Sequence, residues 1–489
     1  MRHILLSLQC GLDRCVRFLP SSSRVALFSV CLAISIGGCN DLTGHPGLPA
    51  GTPNPSSYNT KAGAVGMRSA AVFELEYALQ QYVIDAGLLS DELEDVNTGA
   101  SPGVLSQLGG TVSDPLDERI LPTGVTVKSY NTLQAVRTFT NQAIGALATY
   151  DTGAADLDSS RVLRGELYAL EGYAEIMLAD LFCSGVPLST LDFQHDFTYA
   201  PSSTTAQVYQ HAIAKFDTAL TLASTSDSVV HLAQVGKGRA YIDLGQYAAA
   251  ADDVTTVPSE FIYQFGVIWV TGGGTCEGTS PVLLSCRATI ADREGINGLP
   301  FLSSGDPRTA ADIVAQPNPS NGGPFIPLTF PVKYGAALSG SGYAPFTLAS
   351  GVEARLIEAE AALQANPNDG TWLAKLNQLR QTALIPGTTQ PDPQALPTLN
   401  DPVDPVARID TLFTERAAWL FMDGHRQGDL RRLLRQYSQY AAFNAQQKVY
   451  PTGPYLAPGT GVYGTDVLAP IPTTESTNPD FHGCLDYDP

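Results

Sequence analysis

Residue types that can carry out catalysis are present in the chain, but they do not stand at catalytic spacings. The sequence contains no HExxH, no GxSxG, no Walker loop and no GxGxxG after a strand pattern, and its seven histidines are scattered singly. The adjacent acids Asp252 and Asp253 imitate a glycosidase pair, but such carboxylates must be held about 5 to 10 Å apart across a cleft. The sequence therefore predicts no catalytic residue, no metal site, no cofactor and a protein that is not an enzyme.

The cysteines are the second group with potential chemistry. Four of the eight lie well beyond the N-terminal segment, and four thiols in an exported protein allow three pairings. Cys276 and Cys286 bracket a short Gly-rich loop, which favours that pair and leaves Cys183 to join Cys484. Zinc is the alternative, although neither pair has CxxC spacing and no histidine is near in sequence.

The N-terminal residues have the pattern of an export signal. Residues 1–24 carry four arginines against one acid, and a largely apolar run of twelve residues follows. A membrane-spanning helix needs about 20 apolar residues, so residues 1–38 are predicted to be a secretory signal peptide. Two glycines directly precede Cys39, which resembles the lipobox of bacterial lipoproteins. That resemblance implies cleavage before Cys39 and a lipid on its sulfur; in the alternative, Cys39 is incidental to an ordinary signal peptide.

The charge of the chain limits its partners. It has 48 acidic and 28 basic residues, a net charge of −20, and this charge repels the phosphate backbone of nucleic acids. Apolar residues make up 44% of the chain, which is enough for a sizeable core. The 45 glycines and 34 prolines indicate long irregular segments around the regular elements.

Apolar periodicity divides the remaining chain. Residues 39–60 are rich in Pro, Gly, Ser and Asn without periodicity, which predicts a flexible tether. Beyond the tether, one domain is expected over 61–489, in which apolar residues at three- and four-residue steps predict mostly helical structure. The helical parts are 61–255 and 351–440, and the loop-rich parts are 256–350 and 441–489.

One helical pair is similar to a tetratricopeptide repeat. Gly238, Ala240, Gly245 and Tyr247 stand where such repeats place small residues for close helix packing and a tyrosine against the neighbouring turn. The predicted fold class is therefore mainly α, a tetratricopeptide-like stack of helical hairpins with a large irregular half.

A motif near the C-terminal end combines several charged residues with a glycine. It is TERAAWLFMDGHRQGDLRR, residues 414–432, which contains Glu-Arg, then acid-Gly-x-Arg, then Asp-Leu-x-Arg. Further segments are RGELYALEGYAEIMLADLFCSGVPLS (164–189), GDPR (305–308), VKYG (332–335), ARLIEAEAAL (354–363), LNQLR (376–380) and LAPIPTTESTNPDF (468–481). Together, and in their order along the chain from about residue 61 to the end, they resemble the SusD/RagB family of outer-membrane nutrient-binding lipoproteins. Trp419 and Asp423 depart from the residues that are usual in that family at these positions.

The physical interpretation of the 414–432 motif is structural. Apolar stripes on either side predict two helices with Gly424 at the turn between them. Glu415, Arg416, Arg426 and Asp429 are expected to pair around this junction, because opposite charges lie at pairing distance across a turn. In the alternative, the arginines grip an acidic ligand.

The resemblance implies a function at the cell surface. It implies a lipid-anchored protein of the outer membrane that captures oligosaccharide or peptide and delivers it to a SusC-like, TonB-dependent transporter. The helices would face the transporter and the irregular half would bind the ligand. Two alternatives differ in class: a tetratricopeptide-type envelope scaffold with no small ligand, and a surface glycosidase.

The sequence offers few candidates for ligand contact. Trp269 lies beside a Gly run with Tyr263 six residues before it, and aromatic rings are common sugar platforms, although this segment could equally be a buried strand. Asp91 and Glu92 follow the first helix as polar candidates, unless they are merely solvated or cap a helix. Trp372 and Trp419 lie in helical patterns and are expected in the core.

Overall fold

The structure is a computed structural model, and its helices begin shortly after the predicted tether. The predicted signal peptide and all but the last two residues of the tether lie outside the described residues. The structure describes residues 59–95, 124–151, 153, 157–268, 288–315, 328–334, 343–382, 396–441, 449–453, 463 and 467–486.

Helices dominate the described part of the chain and lie where the apolar periodicity predicts them. None of the described helices combines the length and the apolar character needed to cross a membrane. The helices are α1 (Lys61–Leu89), α2 (Gly124–Tyr150), α3 (Leu157–Leu181), α4 (Thr205–Leu222), α5 (Asp227–Asp243), α6 (Tyr247–Val254), α7 (Gly351–Ala365), α8 (Thr371–Thr382), α9 (Pro405–Trp419), α10 (Arg426–Gln436) and α11 (Ser438–Ala441).

Local sequence sets several of the helix starts. Thr204 forms a capping box with Gln207 at the start of α4, in which each side chain accepts the other residue's backbone N–H. Asp404 caps α9 ahead of a proline in the first turn. Ser350 caps α7 by accepting the N–H of Glu353 at 3.1 Å. These polar side chains satisfy backbone donors that have no partner inside the helix.

From α1 to α8, each helix packs against the next one in the sequence, which is the expected stack. The stack depends on close approach at small residues. A Cβ on Gly238 would lie 2.5 Å from Val254 Cγ1, and Gly245 ends α5 at φ +70°. The tyrosine of the repeat-like pattern, Tyr247, donates to Gln436 of α10 at 2.6 Å.

The ring of Phe216 lies between two helices that approach at glycines. A Cβ on Gly172 of α3 would stand 2.8 Å from Phe216 Cζ, and a Cβ on Gly236 of α5 would stand 2.4 Å from it. Tyr173 meets the same ring edge to face, with centroids 5.3 Å apart. The absence of a side chain at these two glycines therefore determines the spacing of α3, α4 and α5.

The described strands form five antiparallel pairs, β1–β7, β2–β5, β3–β4, β6–β10 and β8–β9. The pairs β2–β5 and β3–β4 interrupt the part that was expected to be mostly helical, because two-residue strands leave no visible periodicity. The strands are β1 (Leu93–Asp95), β2 (Val186–Pro187), β3 (Thr190–Leu191), β4 (Phe197–Thr198), β5 (Ser202–Ser203), β6 (Ile262–Ile268), β7 (Ala288–Ile290), β8 (Ala311–Ala315), β9 (Leu328–Pro331) and β10 (Tyr343–Ser350).

A disulfide connects the end of α3 to the C-terminal segment. Cys183 and Cys484 are bonded with their Cα atoms 5.7 Å apart, which is the pairing that the sequence favoured for them. Next to the disulfide, Ser184 pairs with Asp486 in a single antiparallel bridge. The predicted Cys276–Cys286 pair lies outside the described residues.

Most of the buried apolar side chains form one continuous core between the helices and the strands. Trp372 and Trp419 are buried in it, as expected from their helical patterns. A smaller cluster lies between α1, α2 and α3 and is built largely from alanines, Ala64, Ala71, Ala143 and Ala146.

We expect Gly236→Ala to lower the free energy of unfolding by about 1–3 kcal/mol, because the new methyl group overlaps the Phe216 ring. Gly66→Ala in α1 is the matched control, since a Cβ there meets nothing within 4 Å and alanine favours the helix by about 0.5–1 kcal/mol. Urea denaturation of both variants measures the two effects. Equal stability changes at the two glycines would contradict this packing argument.

Candidate functional site

The 414–432 motif forms the end of α9, a turn and most of α10, and the turn depends on Gly424. This residue has φ +77°, and a Cβ on it would lie 2.7 Å from Cε1 of Tyr82 in α1. The Tyr82 hydroxyl donates to the Gly424 carbonyl at 3.0 Å. Glycine is therefore required both for the left-handed backbone and for the close approach of α1. The predicted position of the turn is confirmed.

Arg416 and Asp429 form the ion pair at the centre of the motif. The guanidinium donates twice to the carboxylate, through Nε and Nη2, each at 2.9 Å. Arg432 adds a second cation to Asp429 at 2.8 Å and continues to Glu360 of α7 at 3.0 Å. Burial by itself raises the pKa of Asp429, but Arg416 and Arg432 outweigh it and hold that pKa well below its usual value.

The same network extends to α5. Arg432 also contacts Asp243 at 3.1 Å, and both side chains are buried. Burial raises the pKa of Asp243 to about 7, and the charge of Asp180 adds to the rise. The hydroxyl of Tyr209 donates to Asp180 at 2.5 Å. Helices α3, α4, α5, α7, α9 and α10 therefore meet through one set of buried charged and polar side chains.

The sequence led us to expect that Arg426 pairs inside the motif. It pairs instead with the segment after α1. It donates to both oxygens of Asp91, at 2.6 and 2.9 Å. Asp91 also accepts the backbone N–H of Leu299 at 2.9 Å. Asp91 and Glu92 are each only 1% exposed, so they are neither solvated nor open to a ligand in this structure.

Glu92 is a buried carboxyl group with one oxygen engaged. Its Oε1 accepts the N–H of Met422 at 3.0 Å, and Met422 has φ +59°, which a non-glycine residue rarely adopts. Within the described part of the chain, its Oε2 has no hydrogen-bond partner. Burial, and secondarily the charge of Asp91, raise the pKa of Glu92 to about 8 against the opposing Met422 hydrogen bond. Glu92 is therefore mainly protonated at neutral pH.

Glu415 connects the motif to the loop-rich half. Arg308 donates to its two oxygens at 2.7 and 3.0 Å, and Arg380 of α8 contacts it at 2.5 Å. Arg308 also pairs with Asp306 at 2.6 Å, and its guanidinium lies 4.8 Å from the ring centroid of Trp419. The GDPR segment therefore docks on the end of α9, where Trp419 covers the arginine.

Lys333 and Tyr334 of the VKYG motif dock on the turn itself. Lys333 pairs with Asp423 at 2.8 Å and also donates to the Phe421 carbonyl. The Tyr334 hydroxyl lies 3.0 Å from the Met422 carbonyl and 2.9 Å from Asp423 Oδ1. Two short segments from the loop-rich half are thus held by the helix junction.

A third buried contact places His425 against α7. Arg239 of α5 donates to both oxygens of Glu353, at 2.6 and 2.8 Å, and His425 Nε2 lies 3.2 Å from Glu353 Oε1. Burial alone raises the pKa of Glu353, but Arg239 and then His425 outweigh it and lower that pKa to about 2.

We call this set of contacts around residues 415–432 the ionic junction. Arg416 and Arg426 are buried and paired with Asp429 and Asp91, so they do not face a ligand. In the described residues, no group of His, Cys, Asp and Glu could hold a metal ion. The geometry supports the structural interpretation of the motif, in which the ion pairs fix how helices and loops meet.

The other site residues predicted from the sequence, Tyr263, Trp269 and Cys39, are not part of the ionic junction as the structure describes it. Tyr263 lies in β6, half-buried, and its hydroxyl donates to Glu166 of α3 at 2.6 Å. Its segment forms a strand, but not the buried strand that was the alternative to a sugar platform: Phe265 is buried, whereas Ile262 and Gln264 are exposed. Trp269 and Cys39 lie outside the described residues.

Sequence reasoning missed most of the partners in the ionic junction, including Arg239, Arg432 and Asp243. A signal did exist in α7, where Glu353, Glu358 and Glu360 stand among apolar residues and are buried with them. A charged residue on the apolar side of a helix requires a buried partner, but the spacing does not identify that partner.

Comparison with known proteins supports this architecture through structure rather than sequence. No protein-family model matches the chain, and no curated protein matches it. A SusD-like protein from Bacteroides fragilis superposes with a TM-score of 0.57 at 12% identity, covering 89% of this chain and 99% of its own. The chain has a SusD-like fold.

Two further SusD-like structures agree with this result. A SusD superfamily protein from Bacteroides vulgatus matches with a TM-score of 0.56 at 14% identity, covering 88% of this chain and 99% of its own. A SusD-like carbohydrate binding protein from the same species matches with a TM-score of 0.54 at 13% identity, covering 86% and 97%. The mainly α, SusD-like architecture predicted from the motifs is confirmed.

We expect Glu92→Gln to remove part of the pH dependence of stability. Because the folded-state pKa of Glu92 is raised from 4.5 to about 8, its contribution to stability is fully present below pH 4.5 and is lost as the pH rises through about 8. Glutamine stays uncharged, so the variant should gain about 4 kcal/mol over the wild type between pH 5 and pH 8.5, since a pKa difference of one between the folded and unfolded states corresponds to about 1.4 kcal/mol. Urea denaturation at pH 5, 7 and 8.5 measures the difference.

Glu260→Gln is the control for this experiment, since Glu260 is exposed and carries the same chemical change. Its stability difference from the wild type should stay nearly constant with pH. If Glu92→Gln behaves in the same way, Glu92 does not titrate as a buried group.

Proposed function

We propose that this protein is a SusD-family lipoprotein of the cell surface. It captures oligosaccharides and delivers them to a SusC-like, TonB-dependent transporter of the outer membrane. The observation that carries the proposal is the SusD-like fold, which spans most of this chain and nearly the full length of the matched structures. The motifs from residue 164 to residue 481 are consistent with it.

The choice of oligosaccharide as cargo has two supports. One matched structure is a carbohydrate binding protein. The net charge of −20 also disfavours polyanionic ligands, whereas neutral sugars bring no charge to repel. Peptide is the remaining alternative of this class. We still propose that the ring of Trp269 contacts the ligand. Tyr263, whose hydroxyl donates a hydrogen bond to Glu166, remains a candidate contact in the same segment.

The division of the chain suits a capture protein. The stack from α1 to α8 provides a rigid surface for a large partner. The loop-rich half is fixed to that stack by the ionic junction, so its exposed residues can carry binding groups on a defined support.

The proposed anchor predicts that Cys39→Ala removes the protein from the outer-membrane fraction. The variant should also lose labelling by radioactive palmitate, because the acyl chains would be attached at this cysteine. Cys31→Ala is the matched control, since Cys31 lies in the apolar run of the predicted signal and should leave fractionation unchanged. If the Cys39 variant keeps its lipid label, or stays in the outer membrane after a salt wash, the anchor assignment is wrong.

The proposed partner predicts that gentle detergent extraction of the native protein recovers a large TonB-dependent barrel at close to one-to-one stoichiometry. Mass spectrometry of the co-purified proteins identifies the barrel and its ratio. Extraction in high salt and harsh detergent is the control that should separate the two proteins. Recovery of envelope assembly factors in place of a barrel would favour the scaffold function instead.

A further inference from the structure

A short hairpin between α3 and α4 presents two aromatic rings to solvent. Strands β3 and β4 pair in the register Thr190↔Thr198 and Leu191↔Phe197. Phe197 and Tyr199 are two residues apart in the extended segment, so they lie on the same side of it. Their rings meet edge to face with centroids 4.8 Å apart, and they are 55% and 45% exposed.

The hairpin is held firmly on the side of α2. A Cβ on Gly145 of α2 would lie 2.6 Å from the Cβ of Phe193, so the hairpin approaches α2 closely at this glycine. The rings of Phe193 and Tyr150 meet edge to face with their centroids 5.8 Å apart. Arg137 of α2 donates to the carbonyls of Leu188 and Ser189, each at 3.1 Å. The base of the hairpin therefore has a fixed position on the helical stack.

The C-terminal segment holds the other end of the hairpin. Asn478 donates to the Ala200 carbonyl at 2.9 Å, and the Ser202 hydroxyl accepts the N–H of His482 at 3.0 Å. The disulfide between Cys183 and Cys484 closes the same connection. Phe197 and Tyr199 are thus exposed on a rigid support, which reduces the entropy lost when a ligand binds.

The tip of the hairpin is polar. Asp192 accepts the N–H of Asp196 at 2.9 Å and fixes the turn, in which His195 has φ +68°. Gln194, His195 and Asp196 are exposed, and among the described residues no ion pair engages Asp192 or Asp196. Amide and carboxylate groups beside exposed rings can bond sugar hydroxyls while the rings stack on C–H faces.

We propose that Phe197 and Tyr199 form a stacking platform for a neutral oligosaccharide. The inference rests on the proposed function and specifies where part of the ligand binds. A sugar fits better than a protein partner, because two isolated rings among polar groups make a small patch, whereas protein interfaces bury hundreds of Å² per partner. The carboxylates disfavour anionic glycans.

The test is isothermal titration calorimetry of the detergent-extracted lipoprotein with neutral hexasaccharides of glucose, xylose, mannose and galactose. For each sugar that the wild type binds, we expect the Phe197→Ala/Tyr199→Ala double variant to lose about tenfold in affinity or more. The exchange Phe197→Tyr/Tyr199→Phe keeps both rings and should stay within about twofold of the wild type, because stacking depends on the ring. Phe73→Ala on α1 is the control, since it removes a similarly exposed ring elsewhere.

Folding of the variants is followed by their melting temperature, which exposed substitutions should hardly change. If the double alanine variant is unstable, Phe197→Leu/Tyr199→Leu retains apolar bulk without a ring and should show the same loss of affinity. An affinity unchanged by loss of both rings overturns the platform and leaves the proposed function standing. Loss of barrel co-purification at unchanged sugar affinity also overturns it, in favour of a protein contact. If the wild type binds no sugar of the panel, the proposed oligosaccharide cargo fails, and the platform fails with it.

Discussion

The fold depends above all on the buried pair between Arg416 and Asp429. Removing two charges from water costs free energy. Here the cost is offset by the bidentate hydrogen bonds from Arg416 to Asp429 and by the second cation, Arg432. Loss of one member would leave a charge without its partner in the core, which costs about 3–5 kcal/mol in comparable pairs. The orientation of α9 relative to α10 is therefore tightly specified.

This constraint also explains how the irregular half becomes ordered. The GDPR and VKYG segments both reach the junction through cations, Arg308 to Glu415 and Lys333 to Asp423. The segment after α1 reaches it through Asp91. Long loops are held because each supplies a charge that the junction requires, while Glu92 enters the same interior mainly in its neutral form.

The sequence predicted the features that depend on residues close together in the chain. Helix positions follow from apolar periodicity, and the turn at Gly424 follows from its place between two apolar stripes. The partner of Arg426 could not be predicted, because it lies 335 positions away and the sequence does not distinguish it from the other acidic residues. The hairpin that carries Phe197 was missed since its strands are two residues long, and Asp91 was misread because loop position suggested solvent.

The contrast between the interior and the hairpin indicates where recognition can vary. The charges at the centre of the junction are buried and paired with one another, so a substitution among them alters folding before it alters binding. Phe197 and Tyr199 contact each other, and their hairpin is fixed through backbone carbonyls, Phe193 and the disulfide rather than through its exposed rings. Such rings can be exchanged at small cost to stability. A ligand preference carried on this hairpin can therefore differ between proteins of one fold, because the support does not depend on the side chains that face the ligand.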